Sequence, residues 1–116
     1  MASRNRFILD IHVKGKEAEN LAQIYFLKKG YHVFNNVSQQ GCIDMVVVND
    51  KNEIMKVDVK SVCRRKRDGW KINRSRTPMQ KKLDVKILYV DTIKRECYFY
   101  KDNNNHLKRR TEVEKI

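Results

Sequence analysis

Apolar residues recur at helical spacing between residues 15 and 29, at Ala18, Leu21, Ala22 and Tyr25. Positions i, i+3, i+4 and i+7 lie on one face of a helix, so the stretch predicts an amphipathic helix. Gly30 follows two lysines, which is typical of a helix end with cations near its negative pole. Residues 1–14 fit either a strand or a lead-in to that helix.

Runs of β-branched and aromatic residues then predict about five strands. They occupy residues 31–34, 43–48, 54–62, 85–90 and 97–100. The polar residues 49–52 predict a hairpin turn between the second and third strands. Alternation along the third strand places three polar residues on one face, namely Lys56, Asp58 and Lys60.

Thr77 and Pro78 predict the start of a second, short helix, because they supply an N-cap and a proline at the first helical position. Gln80 on that helix is either an auxiliary site residue or an ordinary surface glutamine. The polar residues 101–116 predict a short element or a loose tail. Together these elements predict an α/β fold, with one domain over residues 1–116 and a mixed central sheet flanked by helices.

The net charge of +12 and the pI near 9.8 point to a polyanionic partner. Nucleic acid is the first choice, and an anionic membrane surface is a distant second. No apolar run approaches the ~20 residues of a membrane span, and the N-terminus lacks the apolar segment of a signal peptide. We therefore expect an intracellular, cytoplasmic protein with no membrane partner and no small-molecule substrate.

Two aspartates and a lysine are the candidate catalytic residues. Asp44 and Asp58 are 14 residues apart, so a hairpin of the second and third strands would bring them together. Mg²⁺ prefers oxygen ligands and commonly takes one or two carboxylates. Lys60 lies two residues from Asp58 on the same face, about 7 Å along the strand. A lysine there would orient an attacking water or offset transition-state charge during phosphodiester hydrolysis.

An Asp-x-Lys sequence alone is commonplace on an exposed strand face. The combination with Asp44, an adjacent apolar strand and a strongly basic chain favours the catalytic interpretation. The sequence therefore predicts a site for metal-dependent cleavage of nucleic acid.

The order of a helix acid, a strand aspartate and an acid-x-Lys strand resembles the PD-(D/E)xK nuclease superfamily. Within it, the chain is similar to archaeal-type Holliday junction resolvases over about residues 14–60, through Lys14-Gly15-Lys16-Glu17-Ala18-Glu19 and Leu27-Lys28-Lys29-Gly30-Tyr31-His32-Val33. Phage and intron-borne homing endonucleases have the same core, so a phage-encoded chain would also fit.

The resemblance implies catalytic roles for Glu19, Asp44, Asp58 and Lys60, with the three acids as ligands of Mg²⁺ or Mn²⁺. It also implies that Ser38 is a loop serine in contact with nucleic acid. Glu17 competes with Glu19 for the role of the helix acid, since both lie near the start of the predicted helix. Periodicity favours Glu19, which lies on the buried side.

A basic segment follows the predicted catalytic strand, and it contains one tryptophan. Such a segment could track phosphates beside the scissile bond, while the indole stacks on a base. The alternative is a solvated loop with the indole folded onto the core. The predicted nucleic-acid-binding residues are Arg64, Arg65, Lys66, Arg67, Trp70, Lys71, Arg74 and Arg76.

These patterns predict a metal-dependent DNA endonuclease that is selective for branched DNA and leaves 5′-phosphates, as the resemblance implies. A homodimer is expected, because paired cuts in two strands are most simply made by a two-fold dimer. A sequence-directed homing or restriction-like endonuclease is the alternative within enzymes. A non-catalytic nucleic-acid-binding module is the alternative from another class, and RNA as the substrate stays open.

Overall fold

The computed structural model describes residues 3–38, 40–64, 67, 69, 71–72, 74–101 and 112–116. Within these ranges the helices are α1 (Ser3–Lys28) and α2 (Pro78–Lys82). The strands are β1 (His32–Asn35), β2 (Met45–Val48), β3 (Ile54–Ser61), β4 (Cys63–Arg64), β5 (Lys71–Ile72), β6 (Val85–Asp91), β7 (Glu96–Phe99) and β8 (Glu114–Lys115). Across the described residues, no helix is long and apolar enough to cross a membrane.

Six strands form the main sheet in the order β1-β2-β3-β6-β7-β8. The β3 and β6 strands pair in parallel, whereas the other neighbouring strands pair antiparallel. The predicted α/β fold with a mixed sheet is therefore confirmed. The sixth strand is β8, which lies in the segment where a short element or a loose tail was expected. Residues 102–111 of that segment lie outside the described residues.

Helix α1 is longer than its periodic core, because residues 3–14 are helical rather than a strand. Gly15 lies inside the helix and does not end it, since a single interior glycine costs only about 1 kcal/mol. Lys14 fixes this part of the helix against the sheet, where its Nζ donates a 3.2 Å hydrogen bond to the carbonyl oxygen of Val62.

The predicted stop of α1 at Gly30 is confirmed. Gly30 has φ of +87°, the left-handed conformation that glycine adopts without steric cost. Its N–H donates to the carbonyl oxygen of Leu27 at 3.0 Å, and that of Tyr31 donates to Phe26 at 3.0 Å. The rings of Phe26 and Tyr31 also meet edge to face, with centroids 5.5 Å apart. This is a Schellman ending with its hydrophobic contact.

The main core lies between α1 and one face of the sheet. The helix contributes Ala18, Leu21, Ala22, Tyr25 and Phe26, all buried. The sheet contributes Met45, Val47, Val57, Val59, Leu88, Val90 and Cys97. A smaller cluster on the other side holds Val62, Ile87, Tyr89 and Tyr98. The apolar face of α1 is therefore the one that periodicity predicts.

The short strand β8 is bonded both to the sheet and to α1. It pairs with β7, and the carboxylate of Glu114 accepts a hydrogen bond from the hydroxyl of Tyr25. The Nζ of Lys29 lies 2.9 Å from the same carboxylate. Both partners lower the pKa of Glu114, and the hydrogen bond from Tyr25 has the larger effect.

The β4–β5 ribbon begins at Cys63 and extends into residues 64–76, where the sequence shows no periodicity. Cys63 pairs with Ile72, and Arg64 with Lys71. Two-residue strands are too short to show alternation, which explains why the sequence did not predict them.

Candidate active site

The two predicted aspartates meet at the open end of the β2–β3 hairpin. Met45 of β2 pairs with Val57 of β3. Asp44 precedes Met45 and Asp58 follows Val57, so in this antiparallel pair the two aspartates face one another. Their side chains are close enough for Asp58 to raise the pKa of Asp44. The backbone N–H of Val59 donates a 2.7 Å hydrogen bond to Oδ2 of Asp44. The hairpin predicted from the turn residues therefore brings these carboxylates together.

Burial is the main reason why the pKa of Asp44 rises to about 6. The hydrogen bond to Asp58, together with the charges of Asp58 and Glu19, raises it further, while the Val59 N–H opposes the rise. Two carboxylates this close repel each other once both have lost their protons. The pair is therefore suited to a cation.

Lys60 lies beside Asp58 on the same face of β3, as alternation predicts. Its Nζ is 3.3 Å from Oδ2 of Asp58. The Asp58 side chain is 8% exposed and that of Lys60 is 46% exposed. The ammonium group thus borders the buried carboxylate and remains accessible from solvent.

Gln80 of α2 completes the surroundings of Asp58. Its Nε2 donates to Oδ2 of Asp58 at 2.9 Å and to the carbonyl oxygen of Cys42 at 3.3 Å. Its Oε1 accepts the N–H of Thr77, and the hydroxyl of Thr77 accepts the N–H of Gln80, which makes a capping box. The glutamine is 4% exposed, so it is not an ordinary surface residue, and its role as an auxiliary site residue stays a prediction.

A cleft of about 670 Å³ lies between α1 on one side and residues 35–37 and 44–45 on the other. Glu19 lines it from the helix, and Asp44 lines it from the opposite wall. Glu17 is exposed. Of the two candidate helix acids, Glu19 is therefore the one whose charge reaches Asp44.

The donors at this site fit one divalent ion on two carboxylates. Among the described residues, no group of three or more His, Cys, Asp or Glu side chains is close enough to hold a metal. Mg²⁺ keeps several waters and commonly takes one or two carboxylates, so Asp44 and Asp58 are its candidate ligands. The role of Glu19 as a third ligand stays a prediction.

The structure places the basic residues after β3 in different surroundings. Arg64 and Lys71 are paired across the β4–β5 ribbon, whereas Arg67 and Arg74 are exposed. Arg76 is 18% exposed and has Nη1 at 3.5 Å from Asp84. The remaining predicted binding residues, Arg65, Lys66 and Trp70, lie outside the described residues.

Ser38 is exposed and bonded to a neighbour in its own loop. Its hydroxyl donates to Oδ1 of Asn36 at 2.7 Å, and its N–H donates to the same atom at 3.0 Å. Asn36 and Val37, but not Ser38, border the cleft. A contact between Ser38 and nucleic acid stays a prediction.

Two further residues of the cleft have no role in the sequence-based prediction. His12 and Lys16 line the helix side of the cleft, together with Glu19. Their spacing of four residues is a helical signal, but it is visible only once residues 3–14 are known to be helical.

The fold is that of a small α/β domain with a six-stranded mixed sheet. The chain is similar to the solved structure of a bacterial homing endonuclease, I-Ssp6803I, with 22% sequence identity and a TM-score of 0.62. The match covers 77% of this chain and 63% of the endonuclease, so the chain spans less than two thirds of that protein. No protein-family model and no curated protein matches the chain. The likeness shows a shared fold.

Proposed function

We propose that the protein is a metal-dependent DNA endonuclease of the PD-(D/E)xK type. One observation carries this proposal. Asp44 and Asp58 face one another at the open end of the β2–β3 hairpin, Asp44 lines the cleft, and the Nζ of Lys60 lies 3.3 Å from Asp58. Paired carboxylates can hold a divalent ion, and a neighbouring lysine can offset charge, which together support phosphodiester hydrolysis.

Asp44 and Asp58 would hold Mg²⁺, with Mn²⁺ as a substitute. The bound ion would supply an activated water and neutralise charge on the phosphoryl oxygens. Gln80 and Lys60 both contact Oδ2 of Asp58 and so keep that carboxylate in one orientation. The Lys60 ammonium is also available to orient the attacking water or to offset the charge of the transition state.

DNA is the proposed substrate, and two independent facts support this choice. The chain has a net charge of +12, which attracts a polyanion. Its fold is similar to that of a homing endonuclease. Cleavage leaving 5′-phosphates and assembly as a homodimer belong to the same proposal.

The proposal has two candidate substrates, branched DNA and linear duplex DNA. The sequence resemblance to resolvases favours four-way junctions. The likeness in fold to a homing endonuclease supports a second candidate, sequence-directed cleavage of linear duplex. Base-edge contacts from arginines of the basic segment would supply that specificity.

The experiment compares wild type with Lys60→Ala on labelled four-way junction, single-stranded DNA and a library of linear duplexes of random sequence. Each is incubated with Mg²⁺, Mn²⁺ or EDTA. Lys51→Ala is the matched control, because it removes an exposed lysine from the β2–β3 turn. We expect metal-dependent cleavage that is lost in Lys60→Ala and kept in Lys51→Ala.

Symmetric nicks in the junction would identify a resolvase-type enzyme. Cleavage confined to a subset of linear duplexes would identify the homing type. Binding of DNA without cleavage under every metal condition would reject the enzyme and leave a non-catalytic binding module.

A further inference from the structure

One ridge of α1 lines the cleft. It carries four polar residues at spacings of four, three and four, namely His12, Lys16, Glu19 and Gln23, together with Ile11 and Gly15. The Lys16 side chain is 64% exposed, and its Nζ lies 3.8 Å from Glu19. Lys14 is bonded to Val62. Of the two lysines that flank Gly15, it is therefore Lys16 that lines the cleft.

Gly15 lies on the same ridge between His12 and Lys16, and it also lines the cleft. Glycine in a helix interior is less stable than alanine, because it loses more backbone entropy on folding. A Cβ at position 15 would meet no atom within 4 Å, and no positive φ requires glycine there. Packing among the described residues therefore gives no reason for the missing side chain.

We propose that the backbone of a DNA strand crosses α1 at Gly15, with a phosphate held by His12 and Lys16. This inference rests on the proposed function, since it names the path by which substrate reaches the aspartates. The missing side chain lets the strand approach the helix closely. Lys16 supplies positive charge, and an imidazole donates at least one N–H to a phosphate oxygen.

The geometry directs such a strand toward the candidate catalytic residues. Glu19 is one helical turn beyond Gly15, and Asp44 forms the opposite wall of the same cleft. A strand that enters over Gly15 therefore reaches Asp44 without leaving the cleft.

Substitutions at Gly15 test the close approach. Gly15→Ala and Gly15→Leu are compared with Asn20→Ala and Asn20→Leu, which alter an exposed position on the same helix. We expect unchanged or higher melting temperatures in all four. DNA affinity, measured by anisotropy in EDTA, falls roughly tenfold in Gly15→Ala and further in Gly15→Leu. Equal affinity in the Gly15 and Asn20 series would overturn the inference.

Lys16→Gln tests the phosphate contact, with Lys28→Gln as the control because Lys28 is exposed on the last turn of α1. Loss of one phosphate contact lowers the slope of log affinity against log salt by about 1. We expect this change in Lys16→Gln and not in Lys28→Gln. The same slope in both variants counts against the path over α1, even if the Gly15 variants do not fold.

These measurements separate the inference from the proposed function, because binding is measured without metal. Cleavage by wild type together with unimpaired binding by Gly15→Leu would reject the path and keep the endonuclease. Impaired binding by Gly15→Leu without any cleavage by wild type would keep the path and reject the endonuclease. No DNA binding by wild type in EDTA would reject the path, and no cleavage with Mg²⁺ or Mn²⁺ would in addition reject the endonuclease.

Discussion

The side-chain amide of Gln80 donates a 2.9 Å hydrogen bond to Oδ2 of Asp58, and so connects α2 to the strand that carries the candidate catalytic lysine. The same glutamine closes the capping box at the start of α2. One buried side chain therefore fixes both the start of a helix and the orientation of a carboxylate.

The Gln80→Ala variant should lose both functions. We expect the free energy of unfolding to fall by about 1–3 kcal/mol, because Asp58 loses a buried donor. We also expect the cleavage rate to fall about tenfold or more. Thr77→Ala is the control, since it removes the cap and leaves the Asp58 contact, at a cost of about 1 kcal/mol. Denaturant titration and single-turnover cleavage measure the two effects. Equal losses of rate in both variants would contradict a positioning role for Gln80.

Asp44 should make the metal-free protein less stable as the pH rises. Folding raises its pKa from 3.8 to about 6, so between these values the folded state holds a proton that the unfolded chain has lost. Its contribution to stability is most favourable below about pH 4, falls as the pH increases, and is lowest above about pH 6.

Asp44→Asn removes this titration and keeps an oxygen that can accept from Val59. We expect wild type to lose stability relative to Asp44→Asn between about pH 4 and pH 7.5, in denaturant titrations with EDTA. A difference in unfolding free energy that stays constant with pH would show that Asp44 is not the group responsible.

Divalent metal should stabilise the folded protein through the aspartate pair. A ligand at a hundredfold excess over its Kd adds about 2.7 kcal/mol to the free energy of unfolding. We expect Mg²⁺ to raise the melting temperature of wild type and of Asp50→Asn, an exposed turn variant, but not that of Asp58→Asn. Removal of the ion with EDTA should reverse the shift. A similar shift in Asp58→Asn would place the metal elsewhere.

The hydroxyl of Tyr89 holds the backbone of Arg74 twice. It accepts from the N–H of Arg74 at 2.6 Å and donates to its carbonyl oxygen at 3.2 Å. Tyr89→Phe should therefore lower the free energy of unfolding by about 1–2 kcal/mol. It should also weaken DNA binding several-fold, because the segment around Arg74 is no longer fixed. Tyr100→Phe, in the same cluster, is the control, and equal affinities in the two variants would oppose this role.

Local chemistry explains the parts of the fold that the sequence predicted. The stop at Gly30, the turn over residues 49–52 and the cap at Thr77 each depend on a few neighbouring residues. The contact between Asp44 and Asp58 follows from that turn, so the carboxylate pair could also be predicted.

Other features depend on contacts between distant parts of the chain. Gln80 reaches Asp58 across 22 residues, because β6 pairs in parallel with β3 and carries α2 to the site. No local pattern encodes that pairing. The cleft beside Gly15 depends likewise on how α1 lies over the sheet, which explains why His12 and Lys16 could not be assigned from the sequence.

The β2–β3 hairpin also has a consequence for the order in which the molecule assembles. Hairpins with short turns close within about 1–10 μs, before pairings between distant segments form. We expect the two aspartates to meet early, while Gln80 reaches Asp58 only after the slower docking of β6 on β3. Asp44 and Asp58 would thus be in contact before Gln80 reaches Asp58. Full activity would therefore appear when β6 docks on β3, and not when the hairpin closes.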